Sequence, residues 1–108
     1  MQSYESVIIL DSQLEDEPIE KEITRIEGLI TARKGEVIDT ERWGRKKLSY
    51  EMKGRQQGFY ALFRFKLEPK ALQEMSHTLK LNERVLRQLT TQMKKHDLAS
   101  PEKPDQAS

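Results

Sequence analysis

The sequence predicts an α+β fold in the order β-α-β-β-α-β, with four strands in one antiparallel sheet and two helices on one of its faces. Three observations carry this prediction. Ile19, Ile23, Ile26 and Ile30 recur at helical spacing, residues 59–67 alternate strictly between two faces, and Pro69 opens a second helical stripe directly after that alternation.

Residues 4–10 (Y-E-S-V-I-I-L) read as the first strand, rich in aromatic and β-branched side chains. Both of its faces carry apolar groups, as befits a central strand. Asp16 is placed to cap the first helix, with Pro18 in the opening turn where its missing N–H is harmless. The isoleucine stripe continues to Ile30, Arg33 and Lys34 fall in the last turn, and Gly35 suits the left-handed position beyond it. Residues 36–52 form the second strand, anchored by Val37, Trp43, Leu48 and Tyr50, and interrupted by Gly44 where a bulge or close backbone approach is expected. Residues 53–58 (K-G-R-Q-Q-G) read as a turn.

In the third strand, Phe59, Ala61, Phe63, Phe65 and Leu67 share one face, and Tyr60, Leu62, Arg64 and Lys66 the other. The second helix shows Leu72, Met75 and Leu79 on one stripe and ends near Asn82. Residues 85–93 alternate again, with Val85, Arg87, Leu89, Thr91 and Met93 together. From Asp97 the chain is polar and proline-bearing, so residues 1–96 are expected to fold and 97–108 to form a disordered tail. The order is that of the split βαβ arrangement. Right-handed crossovers put both helices on one side of the sheet.

The composition narrows the function. The 108 residues suffice for one small core. Cysteine is absent, which removes disulfides and thiolate chemistry. His77 and His96 are isolated, no ligand spacing suggests a metal, and no glycine-rich loop precedes a helix. A non-catalytic role without a cofactor is expected. No apolar run approaches the length of a membrane span, so the default is a soluble cytoplasmic protein.

Charge is the informative feature. Residues 1–41 hold four Lys/Arg against eleven Asp/Glu, whereas residues 42–96 hold fourteen against four. A net charge of +1 therefore conceals a polarised molecule, which suggests a polyanionic partner for one surface. The basic cluster comprises Arg42, Arg45, Lys46, Lys47, Lys53 and Arg55, with Arg84, Arg87, Lys94 and Lys95 on or near the last strand. Lysines at a sheet edge also serve to block aggregation, so the cluster has a purely structural reading as well.

With the odd-numbered aromatics of the third strand turned to the helices, Tyr60, Leu62, Arg64 and Lys66 point to the uncovered face. One side of the first strand joins them, either Val7 and Ile9 or Ile8 and Leu10. An apolar centre there reads as a docking surface. A base-stacking platform of the RNA-recognition type is disfavoured, because counting from Phe59 the second stacking position is Ala61.

The run Gly44-Arg45-Lys46-Lys47-Leu48-Ser49-Tyr50 resembles the signature of the bacterial small-subunit ribosomal protein six family: a glycine, two basic residues shortly after it, then leucine, a small residue and tyrosine. Tyr4-Glu5, Gln57-Gly58 followed by two aromatics, and the segment from Leu81 to Arg87 extend the resemblance over about residues 1–96. Ser6 stands where the family commonly has an apolar residue, and Gln2 and Ser3 where many members are basic.

The resemblance implies a ferredoxin-like βαββαβ sandwich and a structural role in the small ribosomal subunit. It implies binding to the central domain of small-subunit ribosomal RNA together with ribosomal protein eighteen. Lys46 and Lys47 take the place of the family's basic pair, and Arg87 matches a basic position in its last strand. The expected RNA- or partner-binding residues are Arg45, Lys46, Lys47, Arg84, Arg87 and Lys94, with Trp43, Tyr60 and Leu62 packing against the protein partner. The alternative is a self-associating ferredoxin-like domain that binds a small ligand.

Overall fold

The computed structural model describes residues 1–11 and 15–93, so Lys94, Lys95 and the expected tail lie outside the described residues. The elements are β1 (Gln2–Asp11), α1 (Asp16–Ala32), β2 (Glu36–Met52), β3 (Arg55–Leu67), α2 (Pro69–Leu81) and β4 (Val85–Gln92). They form one sheet in the order β2-β3-β1-β4, with every neighbouring pair antiparallel. This is the predicted α+β sandwich.

Register settles which face of β1 meets the helices. Tyr4, Ser6, Ile8 and Leu10 lie opposite Phe65, Phe63, Ala61 and Phe59 of β3. All but Ser6 join Ile19, Ile23, Ile26, Ile30, Met75 and Leu79 in the core, so Val7 and Ile9 take the uncovered side. Burying one such aliphatic side chain is worth about 1.5–3 kcal/mol, so the four isoleucines are what fasten α1 to the sheet. Ser6 is fully buried among them, and its Oγ lies 2.9 Å from Thr90 Oγ1. That contact satisfies a hydroxyl at what would otherwise be an apolar position.

The ends of α1 differ from expectation by one residue each. Glu15 is the N-cap, without a side-chain cap bond, and Asp16 opens the helix, where its charge suits the positive end of the dipole. At the other end Lys34, not Gly35, adopts the left-handed conformation, with φ +65°. The Lys34 N–H bonds the Thr31 carbonyl at 3.0 Å and the Gly35 N–H bonds the Ile30 carbonyl at 2.9 Å, a Schellman closure. Gly35 is needed for space instead: a Cβ there would sit 2.6 Å from the Lys66 carbonyl oxygen.

The β2–β3 turn is shorter than predicted. Lys53 (φ +49°) and Gly54 (φ +79°) make a two-residue turn of the type I′ kind, and residues 55–58 belong to β3. The register of β2 slips at Ile38 and Trp43, with Gly44 at φ +91°, and again between Lys47 and Met52. Bulges of this sort bend and twist a strand. As a result the hairpin tip reaches across the sheet, and Lys53 Nζ donates to the Val85 carbonyl at 3.1 Å. A bulge at Leu86 also breaks the alternation of β4: Leu10 pairs Val85, but Ile9 pairs Arg87. Val85 is therefore in the core while Arg87 and Leu89 share the uncovered face, where uninterrupted alternation would have grouped all three.

Candidate RNA and protein interface

The uncovered sheet face is built from cross-strand rows. One row runs Glu41, Leu62, Val7, Leu89 across all four strands. The next runs Gly44, Tyr60, Ile9, Arg87, and on the other side lies Asp39, Arg64, Glu5, Thr91. With strands about 4.8 Å apart, the central row presents an apolar strip three strands wide. Leu89 is 56% exposed at its end, while Leu62 at 3% is already covered by its neighbours. Tyr60 and Val7 are half-buried.

At one end of this face, charge is locked in an acidic network. Arg64, only 13% exposed, bonds Glu5 at 3.2 Å, Asp39 at 3.1 Å and Glu41 at 2.8 Å. Desolvation lowers the affinity of the Arg64 guanidinium for its proton, but the bond to Glu41 and the field of Asp39 outweigh it and hold the pKa above the ordinary value. Three carboxylates around one arginine leave a local excess of negative charge.

At the opposite end lie the predicted cations, and the fold divides them between the two sheet edges. Arg45, Lys46 and Lys47 are on edge strand β2; Arg84 immediately precedes edge strand β4 and Arg87 lies near its start. Lys46 pairs Gly58, and its Nζ lies over the Trp43 ring, 5.3 Å from the centroid. Neither Lys46 nor Lys47 makes an ion pair with a described residue, and both are exposed. Arg87 donates to the Tyr50 hydroxyl, which the bent hairpin brings from β2. The two edges thus approach one another at this end of the molecule.

Other predicted cations are engaged internally. Arg45 turns to the helix side, over the Phe59 ring at 5.7 Å and 3.1 Å from Asp16 at the start of α1. Arg42 forms a two-pronged pair with Glu20, both bonds 2.8 Å, which lowers the Glu20 pKa and raises that of Arg42. Arg84 bonds Glu22 at 3.0 Å, and Asn82 Nδ2 donates to the same carboxylate at 3.0 Å.

Glu22 escaped the reading of the sequence although a signal was present. It follows Ile19 by three residues and precedes Ile26 by four, on the buried stripe, and is 2% exposed. Its role is to fix the loop between α2 and β4 against α1, and so the start of the strand that carries Arg87.

Among the described residues no group of three His, Cys, Asp or Glu is arranged to hold a metal, and no helix is long and apolar enough to cross a membrane.

A ferredoxin-like sandwich with an apolar strip on its open face, carboxylates at one end and exposed lysines at the other has the surface of a binding module. The profile of ribosomal protein S6 matches residues 3–92. Relatives named small ribosomal subunit protein bS6 include one from Phocaeicola vulgatus, 38% identical over 96 residues (89% of this chain, 84% of the relative), and one from Flavobacterium johnsoniae, 35% identical over 103 residues (95% and 91%). The crystal structure of 30S ribosomal protein S6 from Thermotoga maritima superposes with a TM-score of 0.81 at 28% identity, covering 93% of this chain and 92% of that one. The chain belongs to the ribosomal protein S6 family. It is a structural, non-enzymatic component of the small ribosomal subunit, associated with ribosomal RNA, and works where the ribosome does, in the cytoplasm.

Proposed function

We propose that this chain binds the central domain of small-subunit ribosomal RNA cooperatively with ribosomal protein eighteen. The observation that carries the reading is the apolar row Leu62, Val7, Leu89 on a face that no helix among the described residues covers, with Lys46, Lys47 and Arg87 at one end of it. The row, with Tyr60 beside it, receives the protein partner. The carboxylates Glu5, Asp39 and Glu41 favour a basic one, since complementary charge fixes orientation. Lys46, Lys47, Arg87 and Lys94 meet phosphates. Arg45 and Arg84 support this surface from within their ion pairs. Each protein orders part of the other's RNA site, so joint binding exceeds either alone.

The test replaces Lys46 and Lys47 by alanine and measures RNA affinity across salt concentrations with the partner present. Each lost phosphate contact lowers the slope of log K against log salt by about one unit, so the pair should lower it by about two. An unchanged slope and unchanged partner affinity would refute the assignment. The same apolar row would also accept a second copy of the chain, as the alternative of a self-associating ligand-binding domain requires. Sedimentation of the isolated protein separates the two readings, because a tight homodimer indifferent to RNA favours the second.

A further inference from the structure

The chain's single tryptophan is placed in an unusual way. In the pairing of β2 with β3, Arg42 lies opposite Ala61 and Gly44 opposite Tyr60, so Trp43 is the extra residue of a bulge and has no cross-strand partner. Gly44, at φ +91°, supplies the backbone conformation that a side chain rarely adopts and lets the chain eject Trp43 from the ladder. The indole is 41% exposed on an edge strand, although a tryptophan gains most when it is covered.

The exposed ring is nonetheless held in one orientation. Its Nε1–H donates to Glu41 Oε1 at 2.9 Å. The other oxygen of Glu41 is bonded by Arg64 at 2.8 Å, and Arg64 is anchored in turn by Glu5 and Asp39. An immobilised aromatic loses little conformational entropy on binding. Lys46, which makes no ion pair with a described residue, stands over the ring, its Nζ 5.3 Å from the centroid.

A flat, oriented π-surface with an exposed ammonium group beside it is the arrangement that takes a nucleotide, with one face of the ring for the base and the cation for the phosphate. We infer that Trp43 is a stacking platform for one unpaired nucleobase of the ribosomal RNA, with Lys46 contacting the phosphate of that nucleotide. The inference rests on the RNA binding proposed above. It moves Trp43 from the protein-packing surface, where the sequence had put it, to the RNA surface.

The test uses the full chain with its companion protein and a central-domain fragment of small-subunit ribosomal RNA. Trp43→Leu, which keeps apolar bulk but removes the π-face, should weaken RNA binding roughly 5- to 100-fold with an unchanged salt slope. Its affinity for the companion alone should not change. Trp43→Phe should restore RNA affinity to within about threefold, since stacking tolerates any aromatic ring. Emission from this single indole should be quenched as RNA is added and unchanged when the companion is added alone. If the parent binds RNA and Trp43→Leu binds it equally well, or loses companion affinity by the same factor as RNA affinity, the stacking role is wrong while the proposed function stands. Absence of RNA binding by the parent would overturn both.

Discussion

Arg84→Ala should cost far more stability than its exposure suggests. The Arg84 side chain is 54% exposed, but its partner Glu22 is 3% exposed, so removing the arginine strips one bond from a carboxylate that water cannot reach. Glu22 keeps the bond from Asn82 at 3.0 Å and a more distant Arg25, 3.9 Å away. The loss is therefore smaller than the 3–5 kcal/mol typical of breaking a fully buried pair, and nearer the value of a hydrogen bond to a charged group, about 2 kcal/mol. For a domain of this size that lowers the melting temperature by about 8–16 °C.

Glu22→Leu should cost less than about 1 kcal/mol, because it leaves a cation that water can solvate and returns an apolar residue to an apolar stripe. The assay is thermal unfolding followed by circular dichroism for both single variants and the double variant. In the Glu22→Leu background, Arg84→Ala should be nearly neutral. If Arg84→Ala costs no more than Glu22→Leu, or costs the same in both backgrounds, the buried-carboxylate argument is wrong.

Three further outcomes are expected. Gly35→Ala should destabilise by at least about 2 kcal/mol in urea, because its Cβ meets the Lys66 backbone, which has no rotamer by which to retreat. Lys34→Gly should stabilise by about 0.5–1 kcal/mol in the same assay, since the left-handed conformation at φ +65° is strained for lysine and free for glycine. Glu20 has its pKa lowered below 4.5 by Arg42, so its contribution is fully present above that value and fades as pH falls through the folded pKa. Both side chains are about half exposed, so Glu20→Gln should make the acid limb of the stability profile only slightly shallower, by a few tenths of a kcal/mol.

What could be read from the sequence was whatever depends on local period. The four isoleucines of α1 and the alternation of β3 specify their buried faces unaided, because spacing alone puts those side chains together. Residues whose role depends on register were not legible. Val7 and Ile9 could not be told from Ile8 and Leu10 until pairing with β3 was known. The bulge at Leu86 separates Val85 from Arg87 and Leu89, and no composition rule announces it. The basic cluster was visible as charge, but its division between two edges, and the engagement of Arg42, Arg45 and Arg84 by Glu20, Asp16 and Glu22, follow from tertiary proximity. Lys46 and Lys47, which the resemblance to the family had singled out, are exposed and make no ion pair with a described residue.

The hydroxyl contact between Ser6 and Thr90 joins residues 84 positions apart, and the strand that bears Ser6 is flanked on its second side only by the last strand. During synthesis β1 must therefore wait, half-zipped, until the residues of β4 have left the exit tunnel. In that interval its free border is an open invitation to pair with a neighbouring nascent chain. A polypeptide destined for ribosomes is in this way most vulnerable while a ribosome is still making it.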